Sequence, residues 1–444
     1  MRLVIVGGGG FRVPLVHREL ARRPELPISQ LVLTDLDQAR LRVIRQVIGD
    51  DPRVSVADSL AEAVRGADFV FSAIRVGGAL GRVADERRAL VRGVIGQETV
   101  GAGGLAYGLR TLPVALELAR TVAELAPQAW LINFTNPAGL ITEAMRDVLG
   151  DRVIGICDSP SGLIRRASQA AGCQPSEVDA DYLGINHLGW LRTLRVGATD
   201  LLPGLLTDRV ALQSFEEGRL FDLDLLRSLG VIPNEYLLYY YRTPEVLATL
   251  LDGPTRGEFL SAEQAGFYSA AQAEPDRAAE LWEATRLRRE QTYLAEAGDF
   301  ERGSFKRDDA ELAGGGYEQV ALQLMQALAG GPSRQLIVNV ANQNTVAALP
   351  AELVLELACT IDAGGARPLP VSPPSLHQLG LISSVRAAER SIIDAVTGQS
   401  YLSALSGFAT HPLIGSERIG REILDDLLRA EPALAALLKQ DTPD

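Results

Sequence analysis

The first third of the chain alternates two patterns. Short apolar runs at residues 2–6 (RLVIV), 31–35 (LVLTD), 68–74 (DFVFSAI), 129–135 (AWLINFT) and 153–157 (VIGIC) read as buried strands. Between them, residues 13–23, 38–48, 114–126 and 138–149 repeat apolar side chains at helical spacing. Continuously apolar strands separated by amphipathic helices predict a parallel sheet covered on both faces. Residues 75–113, rich in Gly, Arg and acids, read as a long functional loop.

After about residue 190 the pattern changes. Charged helical stretches at 258–298 and 307–330 are followed by strand-like runs at 334–344 and 352–361, and by helices near 383–395 and 416–439. Residues 365–374 (GARPLPVSPP) read as a Pro-rich loop. The expected architecture is α/β: a Rossmann-like doubly wound parallel sheet at 1–157, followed by an α+β substrate and oligomerisation domain at 158–444.

Composition narrows the function. The 444 residues are 47% hydrophobic and 22% charged, ordinary for a globular enzyme. A formal charge of −13, from 43 basic and 56 acidic residues, argues against a nucleic-acid partner, which needs a basic face. No apolar run reaches the ~18 residues that span a bilayer. MRLVIVGGGG does not read as a signal peptide, and three widely spaced cysteines are no disulfide framework, so a cytoplasmic protein with reduced thiols is expected.

The strand edge carries the candidate chemistry. Gly7, Gly8, Gly9, Gly10, Phe11 and Arg12 follow the first strand and open a helix, with Pro14 in its first turn. Such a loop lets a pyrophosphate approach the backbone and a helix N-terminus. Arg12 occupies the third-glycine place of G-x-G-x-x-G, but Asp35 ends the second strand, where a carboxylate holds a ribose 2′-hydroxyl and favours NAD over NADP. NFTNPAG (133–139) and GICDSP (155–160) end later strands on the same edge. From spacing alone, Cys157 and His187 suit a small core residue and a structural histidine as well as a pair of metal ligands, and they are too few for a structural zinc site.

Taken together, GGGGFRVPL, RVGGALGRVADE, GQETVGAGG, NFTNPAG, GICDSP, GINHLGW, IPNEYLLYYYR and THPL resemble glycoside hydrolase family 4 from the N-terminus to about residue 415. Glycosidases ordinarily work with two catalytic carboxylates, and the NAD-dependent members of that family are an exception. The resemblance implies a cytoplasmic homodimer or homotetramer using NAD and Mn²⁺ or another divalent ion. It would act on a phosphorylated glucoside or disaccharide by oxidation, elimination, addition of water and reduction. It places the metal on Cys157 and His187, the base on Tyr236, and the sugar phosphate on Arg82 and Arg256. Asn136 and Glu98 would contact the sugar, its phosphate or a metal-bound water. Tyr236 needs a nearby cation, because a phenol ordinarily ionises near ~10. Tyr239, Tyr240 and Tyr241 suit aromatic packing, and His17, His377 and His411 structural or exposed positions.

Asp158 points two ways. Aspartate here resembles members acting on 6-phospho-α-glucosides, where it serves as the acid, whereas NFTNPAGLITE and GINHLGW resemble the β-acting members. The expectation is a 6-phospho-β-glucosidase, with the α activity as the alternative. A glycosidase for unphosphorylated sugars or a simple NAD-dependent dehydrogenase is less favoured.

Overall fold

The computed structural model describes residues 1–292 and 316–438. Thirteen strands form one sheet: β1 (Arg2–Val6), β2 (Gln30–Thr34), β3 (Val54–Val56), β4 (Phe69–Ser72), β5 (Trp130–Asn133), β6 (Val153–Gly155), β7 (Asp179–Ile185), β8 (Leu188–Val196), β9 (Thr199–Asp200), β10 (Ile232–Pro233), β11 (Arg334–Ala341), β12 (Val354–Asp362) and β13 (Gly365–Pro368).

One half of the sheet runs β3-β2-β1-β4-β5-β6 with every neighbour parallel. That order is the dinucleotide-binding one and reverses at β1/β4. Its central residues, including Leu3, Ile5, Leu33, Val70 and Leu131, are fully buried because helices cover both faces. The covering helices include α1 (Val13–Ala21), α2 (Gln38–Ile48), α3 (Leu60–Val64), α4 (Gly78–Leu90), α5 (Gly101–Leu125), α6 (Ala138–Leu149) and α7 (Ser159–Ala170). Asp37 caps α2 by accepting from the Ala39 and Arg40 amides.

Beyond β6 the sheet continues without a break but changes direction. β11 is antiparallel to β6 and to β12, and β7, β8 and β10 follow antiparallel. The second half therefore extends the first half's sheet, and both halves contribute to each of two packed cores.

Residues 75–113 differ from the expected loop: they are mostly α4 and the first half of α5. Glycine normally weakens a helix, but here it permits close packing. A Cβ on Gly103 would lie 2.0 Å from the Gln97 carbonyl oxygen. The GQET segment between the two helices is thereby pressed onto the α5 N-terminus. Smaller differences follow from local chemistry. Residues 365–368 of the Pro-rich segment pair with β12 as β13. The stretch 416–439 is two helices, Glu417–Ala430 and Pro432–Leu437, broken where proline follows Glu431. Parts of 258–298, 307–330 and 416–439 lie outside the described residues.

Candidate active site

The carboxyl ends of β1, β4, β5 and β6 meet at one crevice, as expected for an open parallel sheet. A cavity of about 300 Å³ opens there. It brings together Gly10, Phe11, Arg12, Arg82, Glu98, Asn136, Cys157, Asp158, His187, Tyr236 and Arg256 from distant parts of the chain. Gly7, Gly8, Gly9 and Asp35 are not among the residues that line it.

The glycine loop turns sharply after β1. Gly7 has φ +90°, and a Cβ there would lie 2.5 Å from the Ala73 carbonyl oxygen, so only glycine fits. Asp35 Oδ2 accepts from the Gly9 amide at 2.9 Å. The carboxylate just after β2 thus braces the loop.

His187 reaches the cavity from the tip of the β7–β8 hairpin. Ile185 pairs with Leu188, leaving Asn186 and His187 as a two-residue turn. His187 takes a left-handed backbone, φ +63°, which is uncommon for a non-glycine residue and marks a constrained position. The turn is docked on the start of α6, where Asn186 Oδ1 accepts from the Ala138 amide at 2.9 Å. Beside it the Asn136–Pro137 peptide is cis.

A chain of hydrogen bonds reaches His187 Nδ1. Gln97 Oε1 accepts from the Thr99 and Val100 amides and from the Thr99 hydroxyl at 3.1 Å. The Thr99 oxygen then lies 2.6 Å from His187 Nδ1. With the hydroxyl proton on Gln97, Nδ1 donates and Nε2 keeps its lone pair, the arrangement of a metal-ligating histidine. Burial pushes His187 down to about 4, against the opposing pull of Glu98 and Asp158, so the ring is neutral at pH 7. Sequence reasoning missed Thr99 and Gln97, although both stand in the GQET motif.

Cys157 is 5% exposed and stands just before the N-cap residue of α7. Burial, then Glu356 and Asp158, push its thiol well above the ordinary range, while Ser159 opposes them. A cation binding at Cys157 must therefore displace a proton. Among the described residues no three His, Cys, Asp or Glu side chains cluster as a metal cage. A thiol and an imidazole with a free Nε2 instead fit an open site completed by substrate and water oxygens. Thiolate and imidazole suit a borderline transition ion better than Mg²⁺ or Ca²⁺.

The Tyr236 ring stacks on His187, with centroids 3.7 Å apart. Tyr236 and Tyr239 both line the cavity, whereas Tyr241 turns to Trp190 and His377. Asp158 is the N-cap residue of α7, with no side-chain capping bond, and it lines the cavity. Glu235, beside Tyr236, accepts from the Ser159 hydroxyl at 2.6 Å and is pushed up to about 7, first by burial and then by Glu217 and Glu216.

One wall is strongly cationic. Glu98 pairs with Arg75 and Arg82, and Arg82 also pairs with Glu86 at 2.6 Å. Burial raises Glu98, but Arg75 and Arg82 outweigh it and hold the carboxylate well below its usual range. The Arg256 guanidinium donates to the Thr292 and Arg289 carbonyls at 2.8 and 2.7 Å, capping the helix Ala278–Gln291. Arg289, absent from the expected set, faces the same cavity. Burial, then Arg12, Arg256 and Arg75, push it well below the ordinary arginine range. Cations crowded in this way suit an anionic ligand.

Among the described residues no helix is long and apolar enough to cross a membrane. His17 bonds Asp51, and the buried His411 accepts from the Leu413 amide, both in structural positions.

Comparison with known proteins agrees with this geometry. The chain is 30% identical to a probable 6-phospho-beta-glucosidase of Bacillus subtilis, covering 98% of this chain and 97% of that protein. The 6-phospho-beta glucosidase of Thermotoga maritima, solved with NAD and glucose-6-phosphate, superposes with a TM-score of 0.82 at 26% identity over 99% of this chain and 100% of that one. A 6-phospho-alpha-glucosidase from gut microorganisms, in complex with NAD and Mn²⁺, gives 0.79 at 27% identity over 98% of both chains. Residues 2–172 match the model of the family 4 glycosyl hydrolases and residues 182–414 that of their C-terminal domain, so the chain belongs to glycosyl hydrolase family 4.

Proposed function

We propose that the chain hydrolyses 6-phospho-β-glucosides, using NAD and a divalent ion such as Mn²⁺. The observation that carries this reading is the convergence, in one cavity, of the glycine loop, the Cys157–His187 pair, Tyr236 and a wall of arginines. Relatives solved with NAD, Mn²⁺ or glucose-6-phosphate support it.

Gly7 to Gly10, Phe11 and Arg12 hold the dinucleotide, with Asp35 at its ribose, and Cys157 and His187 hold the metal. Bound there, NAD supplies a hydride acceptor and donor, and the ion a Lewis acid. Arg82, Arg256 and Asn136 hold the phosphate end of the substrate, joined by Arg289, whose crowded charge a phosphate relieves. Glu98 keeps Arg75 and Arg82 in place at the sugar. Tyr236 takes a proton from C2 of the sugar, a general-base step that positive charge beside the phenol favours. Asp158, at the head of α7, gives a proton to the departing oxygen.

The β preference is supported by the 30% identical relative and by the NFTNPAG and GINHLGW segments. Asp158 favours the second reading, a 6-phospho-α-glucosidase. The test compares p-nitrophenyl 6-phospho-α- and β-glucosides with NAD⁺, Mn²⁺ and a thiol reductant. Faster cleavage of the β anomer is expected. Faster α cleavage overturns the preference and leaves Asp158 as the acid of an α-glucosidase. Accumulation of NADH in step with turnover would overturn the glycosidase reading itself.

A further inference from the structure

Three helices of the second half reach back to the glycine loop. The Tyr268 hydroxyl, on the helix Arg256–Ala273, donates to the Gly9 carbonyl at 2.7 Å. Trp282 Nε1, on the helix Ala278–Gln291, donates to the Phe11 carbonyl at 2.7 Å. The Tyr317 hydroxyl, at the start of the helix Tyr317–Leu328, donates to the Arg12 carbonyl at 2.7 Å. All three side chains are buried, at 5%, 0% and 2% exposure.

Buried phenols and indoles need an acceptor, and any one of these bonds is accounted for by that need alone. Their convergence is not. Three elements separated in sequence each send a ring to a carbonyl within one four-residue turn. Two more carbonyls of the turn are held by its own amides: Gly7 O accepts from Gly10 N at 2.9 Å and Gly10 O from Val13 N at 3.0 Å. In a planar trans peptide the N–H points opposite the C=O. Fixing the Gly10 and Phe11 carbonyls therefore also fixes where the Phe11 and Arg12 amides point, and both residues line the cavity. A carbonyl swung into the cavity would repel an anion, whereas an amide attracts one.

We infer that Tyr268, Trp282 and Tyr317 are positioning residues for the cofactor: Trp282 turns the Phe11–Arg12 peptide so that the Arg12 amide meets the pyrophosphate of a dinucleotide, while Tyr268 and Tyr317 hold the neighbouring peptides, whose Gly10 and Val13 amides donate to the Gly7 and Gly10 carbonyls and keep the loop in that shape. The inference rests on the loop being the NAD site. The rings also secure the loop by packing. Phe11 meets Phe267 edge-on at 5.3 Å and lies 5.7 Å from Trp282. Arg40 lies over the Tyr268 ring at 4.7 Å. The same two helices carry Arg256 and Arg289, so one pair of elements braces the cofactor loop and faces the substrate anion.

The test uses Tyr268→Phe, Trp282→Phe and Tyr317→Phe in the full chain. Each keeps a ring and removes one donor. NAD⁺ binding is followed by calorimetry, alongside glucose-6-phosphate binding without NAD⁺ and kcat at saturating NAD⁺ and substrate. Trp282→Phe is expected to weaken NAD⁺ binding about fivefold, the worth of one buried hydrogen bond, and the two tyrosine variants by less. Glucose-6-phosphate affinity and saturated kcat should stay within about twofold. Unchanged NAD⁺ affinity in well-folded Trp282→Phe overturns the inference. So does a parallel loss of NAD⁺ and glucose-6-phosphate binding, which would mark the rings as general scaffolding. If the unmodified chain binds no NAD⁺, the cofactor reading itself falls, a result distinct from either of these.

Discussion

The imidazole of His187 lies flat on the phenol ring of Tyr236, with centroids 3.7 Å apart and planes inclined by 8°. The stack links the proposed metal ligand to the proposed base. A left-handed hairpin turn aims one ring, and the 3-10 turn Glu235–Leu237 after β10 aims the other. Two segments about fifty residues apart thus meet through β8, which pairs with both β7 and β10.

Tyr236→Phe keeps this stack and removes only the hydroxyl. Turnover of the phosphorylated substrate should fall by ~10²–10⁴-fold, the usual worth of a positioned general base. Deuterium from heavy water should no longer enter C2 of the released sugar, while NAD⁺ and glucose-6-phosphate still bind. Tyr239→Phe should retain the exchange. Mass spectrometry of the product decides; exchange persisting in Tyr236→Phe and lost in Tyr239→Phe would move the base to Tyr239.

Thr99→Val removes the oxygen that holds His187 Nδ1. The ring then loses its tautomer preference and its orientation. Mn²⁺ affinity should drop ~10–100-fold, as it does when outer partners of a metal ligand are removed. Thr99→Ser should recover most of the loss. A paramagnetic titration of Mn²⁺ measures this directly, and equal affinity in Thr99→Val would show that the Nδ1 contact is incidental.

Arg289→Met removes a guanidinium crowded by Arg12, Arg256 and Arg75 while keeping much of the apolar stem. If a substrate phosphate relieves that crowding, kcat/KM for the phosphorylated glucoside should fall at least ~10-fold, mainly through KM. Any slow turnover of the unphosphorylated analogue should be unchanged. Equal losses on the two substrates would instead assign Arg289 to NAD or to packing.

The parallel half was readable where its strands are continuous apolar runs ending in a glycine, polar or acidic residue at the ligand edge; β3, three residues long and exposed at two of them, was not. β1, β2, β4, β5 and β6 fall where those runs stand. The 75–113 region was not readable. Glycines at 101, 103 and 104 look like loop residues, yet they are demanded by backbone contacts that appear only once α5 has packed on the GQET segment. Residue identities at the site were legible through motif resemblance, but their relations were not. Nothing in GINHLGW announces a left-handed His187, and Tyr268, Trp282 and Tyr317 lie 259, 271 and 305 residues from the carbonyls they bind. Arg289 looks like one more charge on a solvated helix until the fold turns it inward.

His411 supplies a prediction for stability. Its ring is buried and neutral, with Nδ1 accepting from the Leu413 amide at 3.1 Å. Burial pushes it from the ordinary 6.5 down to about 3. The unfolded chain therefore takes up this proton first as pH falls, so the group's contribution is intact above pH ~6.5 and is lost progressively towards pH ~3. The full difference is of order 5 kcal/mol, from ~1.4 kcal/mol per pKa unit. Glu356, pushed up to about 8 by burial against the opposing bonds from Tyr182 and Asn339, works the other way. It is protonated in the fold and ionised in the unfolded chain at intermediate pH, so its contribution fades as pH rises from ~4.5 to ~8. Stability should therefore fall away on both sides of a maximum near pH 6. His411→Asn, which keeps an acceptor for the Leu413 amide, should flatten the acid limb and leave the alkaline limb alone. Urea midpoints of both proteins from pH 4 to 9 measure this; parallel curves throughout would show that His411 takes up its proton at the same pH in the folded and the unfolded chain.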